Sequence, residues 1–295
     1  MIIQAMTQSI VGESKGLKLA LEECRKIAKQ KEPVLFQGEL STGKFLMASY
    51  LWSISKNSHQ SLFVVDCHNT SMMKDFLQLE NILRYLEDYN VGTIYFREIA
   101  SLSQEFQEKL LPLIMELEKK EVRFFFSSNQ NVHLLKLEKL FAPELYEYAC
   151  QWEILLPPLR QRKEDILPLA HHYIQVYNRK LRKSIQGLTP QAEEILLSYR
   201  WAGNIGELKQ VISRAVMNAD ESHISQRHLN ENLGYSEGTE MYHLVMPLER
   251  MEEILLRSAL KRHGFSLEGK KRAARALNIS LATLYNKLKR YNINP

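Results

Sequence analysis

The sequence predicts an α/β protein with a mostly parallel sheet, followed by a helical region and a basic, all-helical C-terminal segment. Short apolar strands alternate with amphipathic helices as far as residue 159, a pattern typical of a parallel sheet covered on both faces. From residue 160 onward, apolar residues recur with helical spacing only. The 295 residues, 45% of them hydrophobic, are enough for a sizeable core and about two ordinary domains.

Residues 1–159 are predicted to form the α/β core. Its strands are expected in five short apolar runs, each bounded by polar or turn-forming residues. These runs are PVLFQG (33–38), SLFVVDC (61–67), GTIYF (92–96), VRFFFSSN (122–129) and QWEILL (151–156).

Residues 160–233 are predicted to form a small helical bundle. In the segment TPQAEEILLSYRW, Thr189 is suited to cap a helix and Pro190 to occupy its first position. A polar, glycine-containing linker is predicted over residues 234–246, where the sequence reads GYSEGTE before the last helical pattern starts. The final domain is predicted over residues 247–295.

The positive charge of the chain is concentrated at its C-terminal end. The net charge is +5 overall, but residues 246–295 contain eleven Lys and Arg against four Asp and Glu, a net of +7. The rest of the chain has 28 basic and 30 acidic residues. A basic terminal domain on a mildly acidic body indicates a nucleic-acid partner, although a solvated helix face remains an alternative.

The sequence gives no support for a disulfide framework, a zinc site, a membrane span or a signal peptide. Three cysteines, Cys24, Cys67 and Cys150, are widely spaced and form no Cys-x-x-Cys pair, so neither a disulfide framework nor a zinc site is expected. No apolar run is long enough for a membrane span, and the first residues lack the pattern of a signal peptide. We therefore predict a cytoplasmic protein without a membrane partner and without a dedicated metal site.

A phosphate-binding loop is predicted after the first long strand. Gly38, Gly43 and Lys44 in GELSTGKF satisfy the G-x-x-x-x-G-K pattern between a strand and a helix. There, backbone N–H groups and the helix N-terminus hold phosphates. Phe45 departs from the pattern, because many such loops place at this position a hydroxyl that meets magnesium. The predicted nucleotide-binding residues are Gly38, Glu39, Ser41, Thr42, Gly43 and Lys44.

The order of segments resembles the AAA+ domain of bacterial enhancer-binding proteins, the NtrC-like activators of sigma-54 RNA polymerase. The matching pieces include IVGES, PVLFQGELSTGK, LFVVDC, GTIYFREIASL, LPPLRQRKEDI, WAGNIGEL and a final helix-turn-helix. The resemblance extends from about Ile10 to the C-terminus. It implies an AAA+ P-loop core with a parallel sheet, a helical lid subdomain and a Fis-type helix-turn-helix domain.

The resemblance also implies a set of active-site positions, and this chain departs from several of them. The strand-end aspartate that would organise magnesium corresponds to Arg97. The next position keeps a glutamate, Glu98, and Asn129 matches the position of a sensor residue. Glu98 and Asn129 are therefore the only residual catalytic candidates, and magnesium is a doubtful cofactor.

Three arginines that the family uses are absent here. Ala142 and Ala149 occupy the two places of the arginines that a neighbouring subunit normally supplies, and Gly206 occupies the place of the lid arginine. Only 24 residues separate Cys67 from Gly92, and the loop motif that contacts sigma-54 in the family does not occur. Because loss of one such arginine costs about a thousandfold or more in rate, the chain is expected not to hydrolyse ATP.

The helix-turn-helix pattern at the C-terminus is intact. In KKRAARALNISLATLYNKLKRYNI, Asn278 is suited to a left-handed turn, Ile279 to the core and Ser280 to a helix cap, with Leu284 and Leu288 buried. Thr283, Asn286, Lys287 and Lys289 are then free to face DNA. The predicted DNA-binding residues are Lys270, Lys271, Arg272, Arg275, Ser280, Thr283, Asn286, Lys287 and Arg290.

An apolar stripe on the preceding helix predicts a dimer. The stripe contains Leu248, Met251, Ile254, Leu255 and Ala259. Two subunits paired along it would present two helix-turn-helix units to a palindromic site.

These features together predict a DNA-binding bacterial transcription regulator on a degenerate AAA+ scaffold. It is expected to bind double-stranded DNA as a homodimer or higher oligomer, to bind ATP or ADP without hydrolysis, and not to remodel sigma-54 polymerase. An empty loop filled by Leu40, Ser41 and Phe45 is the alternative for the nucleotide site. Two other functions stay open: a residual ATPase or activator that works in a mixed ring with a complete AAA+ homologue, and an interaction protein with vestigial DNA contact.

Overall fold

A computed structural model describes residues 1–5, 9–233, 248–291 and 293. These residues form two compact units, divided between Gly234 and Tyr235. The predicted linker, residues 234–246, lies outside the described residues. Within the described ranges, no helix combines the length and the apolar character needed to cross a bilayer.

The first unit contains the predicted parallel sheet. Its strand order is β1-β3-β4-β5-β2-β6, and every pairing is parallel except that of β1 with β3. The five predicted strands are all present, within one or two residues of their expected ends. Strand β1 was not predicted, because two residues are too few for a periodic pattern. The strands are Ile2–Ile3 (β1), Val34–Gln37 (β2), Ser61–Asp66 (β3), Val91–Arg97 (β4), Arg123–Ser128 (β5) and Trp152–Leu155 (β6).

Helices cover both faces of this sheet, as its apolar strands require. One face packs against α1 and α2, around the buried Trp52. The other packs against α3, α4, α5 and α7, where Phe96, Phe124 and Phe126 are fully buried. The helices are Lys15–Ile27 (α1), Lys44–Ser53 (α2), Thr70–Phe76 (α3), Leu79–Asp88 (α4), Gln104–Glu118 (α5), Val132–Leu137 (α6) and Pro143–Ala149 (α7).

The predicted helical bundle follows in the same unit, and we call it the lid. Its core surrounds Trp201, which is fully buried and donates its indole N–H to the Leu196 carbonyl at 2.8 Å. Thr189 caps its helix by accepting the Ala192 N–H, as predicted. The lid also contains two short parallel strands, β7 and β8, which the sequence did not predict. The elements are Ile166–Leu181 (α8), Gly187–Leu188 (β7), Pro190–Ser198 (α9), Asn204–Asn218 (α10), His223–Ile224 (β8) and Gln226–Leu233 (α11).

The second unit is the predicted all-helical C-terminal segment. Its helices are Leu248–His263 (α12), Leu267–Ala276 (α13) and Leu281–Arg290 (α14). The turn between α13 and α14 has the expected chemistry: Asn278 has a φ of +53° and Ser280 caps α14 by accepting the Thr283 N–H. Leu284 and Leu288 are buried in the core of this unit.

Candidate nucleotide and DNA sites

The loop between β2 and α2, together with the first residue of α2, contains all six predicted nucleotide-binding residues. Gly38 and Gly43 have φ values of +155° and +106°, a region that favours glycine. A Cβ at Gly38 would lie 2.5 Å from the Leu156 carbonyl oxygen, so this position also has no room for a side chain. Ser41 adopts a φ of +59°. The loop thus turns tightly over the N-terminus of α2, the geometry that suits phosphate binding.

Lys44 is buried beneath this loop, with only 6% of its side chain exposed. Its ammonium donates to the Gly38 carbonyl at 2.8 Å and to the Glu39 carbonyl at 3.0 Å. It also forms an ion pair with Glu98, with 3.1 Å between Nζ and Oε1. Burial lowers the pKa of Lys44, and the Glu98 carboxylate opposes this shift. The structure therefore holds Lys44 by protein groups on three sides.

Glu98, which directly follows β4, contacts Lys44 at the start of α2, so the structure brings these two predicted residues together. The Glu98 side chain is also 6% exposed, and its other oxygen accepts the backbone N–H of Asn129 at 2.7 Å. The Asn129 side chain is exposed, so this residue reaches Glu98 through its backbone only. Arg97 is exposed, and its side chain forms no hydrogen bond or ion pair with the residues that the structure describes, although its backbone carbonyl accepts the Cys67 N–H at 3.0 Å. Both acceptor oxygens of Glu98 are thus engaged by protein donors.

Lid residues that the sequence interpretation did not assign to the site hold the outer side of the loop. Arg160 makes a two-pronged ion pair with Glu39, with one N–O distance of 2.8 Å. Asn204 donates to the Glu39 carboxylate at 3.1 Å and to the Leu40 carbonyl at 3.0 Å. Chiefly through its hydrogen bonds with Arg160, the pKa of Glu39 is lowered to about 2. The sequence offered one indication of these two residues: they are polar side chains that interrupt the apolar patterns of LPPLRQRKEDI and WAGNIGEL.

Gly206 packs directly against the loop. A Cβ at this position would lie 2.8 Å from the Ser41 hydroxyl and 3.1 Å from the Ser41 Cβ. One residue earlier, the Ile205 backbone N–H donates to the Ser41 carbonyl at 3.1 Å. The space in which a side chain of residue 206 would start is therefore occupied by Ser41.

A cavity of about 510 Å³ lies between the loop, the lid and the start of α1. Its wall is mainly apolar and includes Ile10, Leu169 and Tyr173. Arg162 also lines it: the side chain is 3% exposed, and one guanidinium N–H group, at Nε, has no hydrogen-bond partner. An apolar cavity next to a phosphate loop, with a cationic side chain in its wall, fits the size and chemistry of a nucleoside phosphate.

A magnesium ion fits these residues poorly. At the position of the usual hydroxyl, the Phe45 ring packs against Tyr95, with 5.6 Å between ring centroids. Arg97 places a cation where a carboxylate would hold the metal, and Glu98 is already paired. No group of three or more His, Cys, Asp or Glu side chains within the described residues is arranged to hold a metal ion.

Asp165 joins the lid to the beginning of the α/β core. It is fully buried and accepts the backbone N–H groups of Glu13 at 2.6 Å and Ser14 at 2.8 Å. The Ser14 hydroxyl donates to its second oxygen at 2.7 Å, and Arg162 lies 3.8 Å away. Gly12 leaves room for this carboxylate, since a Cβ there would lie 2.6 Å from it. The IVGES and RQRKEDI segments therefore form one buried polar network.

In the second unit, the predicted DNA-binding residues lie on and around α13 and α14. Arg272, Arg275, Asn286 and Arg290 are exposed, and Lys271 forms a 3.6 Å ion pair with Glu268. Ser280 and Thr283 hydrogen-bond to each other at the start of α14. Lys270 lies 5.1 Å from the ring centroid of Tyr285, an exposed residue of α14 that the sequence interpretation did not select.

Lys287, which the sequence predicts to be free to face DNA, is paired within its own unit, and its contact with DNA stays a prediction. Its ammonium forms an ion pair with Glu252 of α12, and both side chains are about three-tenths exposed. Tyr291 donates its hydroxyl to the other Glu252 oxygen at 2.6 Å. Hydrogen bonds from Lys287 and then Tyr291 lower the pKa of Glu252. The difference arises because Glu252 is distant in sequence, so no local pattern on α14 reveals it.

The predicted dimer stripe on α12 is described only in part. Leu255 is 45% exposed, whereas Ala259 packs against the unit's own core. Leu256 and Leu260, which are not in the predicted stripe, are the α12 leucines that fill this core. The side chains of Leu248, Met251 and Ile254 lie outside the described part of the chain.

Comparison with known protein families covers nearly the whole chain. Residues 11–159 match the sigma-54 interaction domain, residues 160–243 match the AAA+ ATPase lid domain, and residues 247–291 match the bacterial regulatory proteins of the Fis family. Transcriptional regulatory protein ZraR from Klebsiella oxytoca is 31% identical over 307 residues, which cover 95% of this chain and 68% of ZraR. ZraR from Escherichia coli is 30% identical over 318 residues, which cover 98% of this chain and 70% of that ZraR.

Solved structures show the same fold. NtrX from Brucella abortus, in complex with ATP, superposes with a TM-score of 0.68 at 19% identity, over 98% of this chain and 70% of NtrX. DnaA from Aquifex aeolicus, bound to AMPPCP, gives a TM-score of 0.54 at 15% identity, over 98% of this chain and 91% of DnaA. By its family matches and its identity to ZraR, the chain belongs to the bacterial DNA-binding transcription regulators with a sigma-54 interaction domain, an AAA+ lid and a Fis-type helix-turn-helix.

Proposed function

We propose that this regulator acts at its DNA site without hydrolysing ATP and without remodelling sigma-54 polymerase. In this proposal, residues 1–159 form a degenerate AAA+ core, 160–233 its lid, 234–246 a linker and 247–295 the DNA-binding domain. The protein works in the cytoplasm as a homodimer or higher oligomer on double-stranded DNA. A nucleotide is bound at the loop of Gly38 to Lys44 and is not turned over.

The observation that carries this proposal is the closed pairing of Glu98. Hydrolysis requires a carboxylate that organises magnesium and a second group that orients water. The carboxylate of Glu98 is 3.1 Å from Lys44 and 2.7 Å from the Asn129 N–H, and it is 6% exposed. The neighbouring residue, Arg97, is positively charged. Glu98 is therefore not free to orient water, and Arg97 has no carboxylate with which to hold magnesium.

The positions of the missing arginines support the same proposal. Ala149 is 1% exposed and packs in the core beneath the sheet, so its position does not point to a neighbouring subunit. Gly206 has no space for a side chain while Ser41 keeps its conformation. An arginine at position 149 or 206 would fit only if the neighbouring side chains moved.

The short connection between β3 and β4 argues against polymerase remodelling. The chain between Cys67 and Gly92 is used by α3 (Thr70–Phe76) and α4 (Leu79–Asp88), which pack on the sheet through Phe76 and Ile82. No length is left for a long projecting loop of the kind that contacts sigma-54 in the family.

Phosphate release from ATP tests the proposal directly. The 295-residue protein is expected to release phosphate no faster than protein-free buffer, both alone and with DNA. A turnover of about 1–10 per second, in the range of ordinary enzymes, that disappears in Lys44→Ala would contradict the proposal and favour the ATPase alternative. Lys109→Ala, at an exposed position of α5, serves as the matched lysine control.

Salt dependence tests the proposed DNA face. A duplex selected from random sequence would be titrated with protein at several salt concentrations by fluorescence anisotropy. The triple variant Lys270→Ala, Lys271→Ala and Arg272→Ala is expected to lower the slope of log K against log salt by about 0.9 for each phosphate group that the variant no longer binds. A slope that stays unchanged would place the DNA contacts elsewhere.

The matched control removes three exposed lysines from α1 of the other unit. Lys15, Lys18 and Lys26 carry the same charge and lie on a helix of the α/β core. Their joint replacement by alanine is expected to leave the slope at the wild-type value. Equal effects of the two triple variants would mean that only net charge matters, and would favour an interaction protein with vestigial DNA contact.

A further inference from the structure

The surroundings of Lys44 lack the two groups with which phosphate loops hold a divalent cation. These groups are a hydroxyl directly after the loop lysine and an acid at the end of another strand of the same sheet. Here the first is the ring of Phe45, which packs on Tyr95 with 5.6 Å between centroids. The second is Arg97, the last residue of β4. Neither position therefore offers an oxygen ligand to a metal ion.

The guanidinium of Arg97 can replace the lost cation electrostatically. A carboxylate that holds one divalent cation has the same net charge as a lone guanidinium, so the local field on a phosphate group is similar in sign. Arg97 is exposed and has no ion-pair partner among the residues that the structure describes. Its neighbour in the chain, Glu98, contacts Lys44 at 3.1 Å. Burial is the main cause that lowers the pKa of Lys44, and the positive charge of Arg97 lowers it further, so Arg97 lies close to the loop lysine.

A second unpaired donor lies on the other side of the same site. Arg162 is 3% exposed and lines the cavity, and its Nε–H group has no partner. Another N–H group of the same guanidinium donates to the Thr42 carbonyl, so Arg162 contacts the backbone of the phosphate loop directly.

Lys44, Arg97 and Arg162 are three cationic side chains around one loop. Lys44 and Arg162 face the carboxylates of Glu98 and Asp165, whereas Arg97 has no such partner among the described residues. The described residues also offer no cluster of three or more His, Cys, Asp or Glu side chains for a metal.

We propose that this site binds a nucleoside polyphosphate without a divalent cation, with Arg97 taking the place of the metal beside the phosphates. The inference rests on the proposed binding of nucleotide at this loop. It adds that magnesium makes no contribution to that binding. It also assigns to Arg97 a ligand-binding function in a position where the family uses an acid.

Isothermal titration calorimetry of the 295-residue protein with ADP tests this inference, once in EDTA and once in excess magnesium. Equal affinities are expected in the two buffers. Arg97→Ala is expected to weaken ADP binding about tenfold in both, the effect of removing one charge-assisted hydrogen bond. Arg97→Lys, which retains the charge, is expected to lose less. Arg84→Ala, at an exposed arginine of α4, is the matched control and is expected to bind like the wild type.

A double variant tests whether magnesium dependence appears when the two metal-holding groups are supplied. Phe45→Thr with Arg97→Asp restores both metal-holding groups, and it is expected to bind ADP weakly in EDTA and more tightly in magnesium. Wild-type binding that requires magnesium, or that is unaffected by Arg97→Ala, would overturn the inference and leave nucleotide binding intact. Absence of ADP binding in both buffers would overturn the nucleotide proposal as well, while the prediction of no hydrolysis would still hold.

Discussion

Replacing Asp165 with alanine is expected to lower the free energy of unfolding of the α/β and lid unit by about 3–5 kcal/mol. Asp165 is fully buried, and its carboxylate accepts three hydrogen bonds from Glu13 and Ser14. Without it, the Arg162 guanidinium, 3% exposed, would lose its nearest opposite charge. Two backbone N–H groups would also lose their acceptor in a space that water does not reach.

Urea denaturation followed by tryptophan fluorescence measures this change, since Trp52 and Trp201 are buried in the core and the lid. Asp220→Ala is the matched control: Asp220 is a lid aspartate that is 96% exposed and lies 3.4 Å from Lys183. It is expected to change stability little, because solvent screens an exposed pair. Similar midpoints for the two variants would contradict the assignment of Asp165 as the junction of the two segments.

Lys44→Met is expected to destabilise the same unit by about 3–5 kcal/mol, because it leaves the Glu98 carboxylate buried without its cation. The ion pair is 6% exposed on both sides, and the Gly38 carbonyl would also lose its donor. Adding Glu98→Gln to Lys44→Met is expected to recover more than half of the loss, since the second change removes the unpaired charge.

The double-mutant cycle is measured by urea denaturation without nucleotide. The exposed pair of Lys109 and Glu105 on α5, 2.6 Å apart, provides a control cycle in which little coupling is expected. Additive effects of Lys44→Met and Glu98→Gln would show that the two side chains do not depend on each other. That result would also remove the main support for the proposal that Glu98 is unavailable for hydrolysis.

Local chemistry made the fold and the DNA-binding unit predictable. The five long strands are apolar runs between turn residues, and the helix-turn-helix depends on Asn278 and Ser280 at fixed spacing. Such signals require only neighbouring residues. Strands of two residues, such as β1 and β7, have no periodicity and were missed for that reason.

The candidate nucleotide site was predictable only on its loop side. Gly38 to Lys44 follow one another in the chain, so their pattern is visible in the sequence. Arg160 and Asn204, which contact Glu39, are more than 120 residues away from it along the chain. Their charges and amide groups gave no indication of which loop they would meet. The contact between Glu252 and Lys287 was missed for the same reason.

The sequence by itself determined the chemical identity of the site: Arg97, Phe45, Ala142, Ala149 and Gly206 are substitutions that can be read without coordinates. It also determined the order of elements, because strand and helix periodicity are local properties. Only the tertiary structure decided that Glu98 is paired with Lys44 and that Ser41 fills the space beside Gly206. Pairing and steric exclusion depend on distances between segments that meet only when the sheet and the lid have packed, and no spacing along the chain encodes those distances directly.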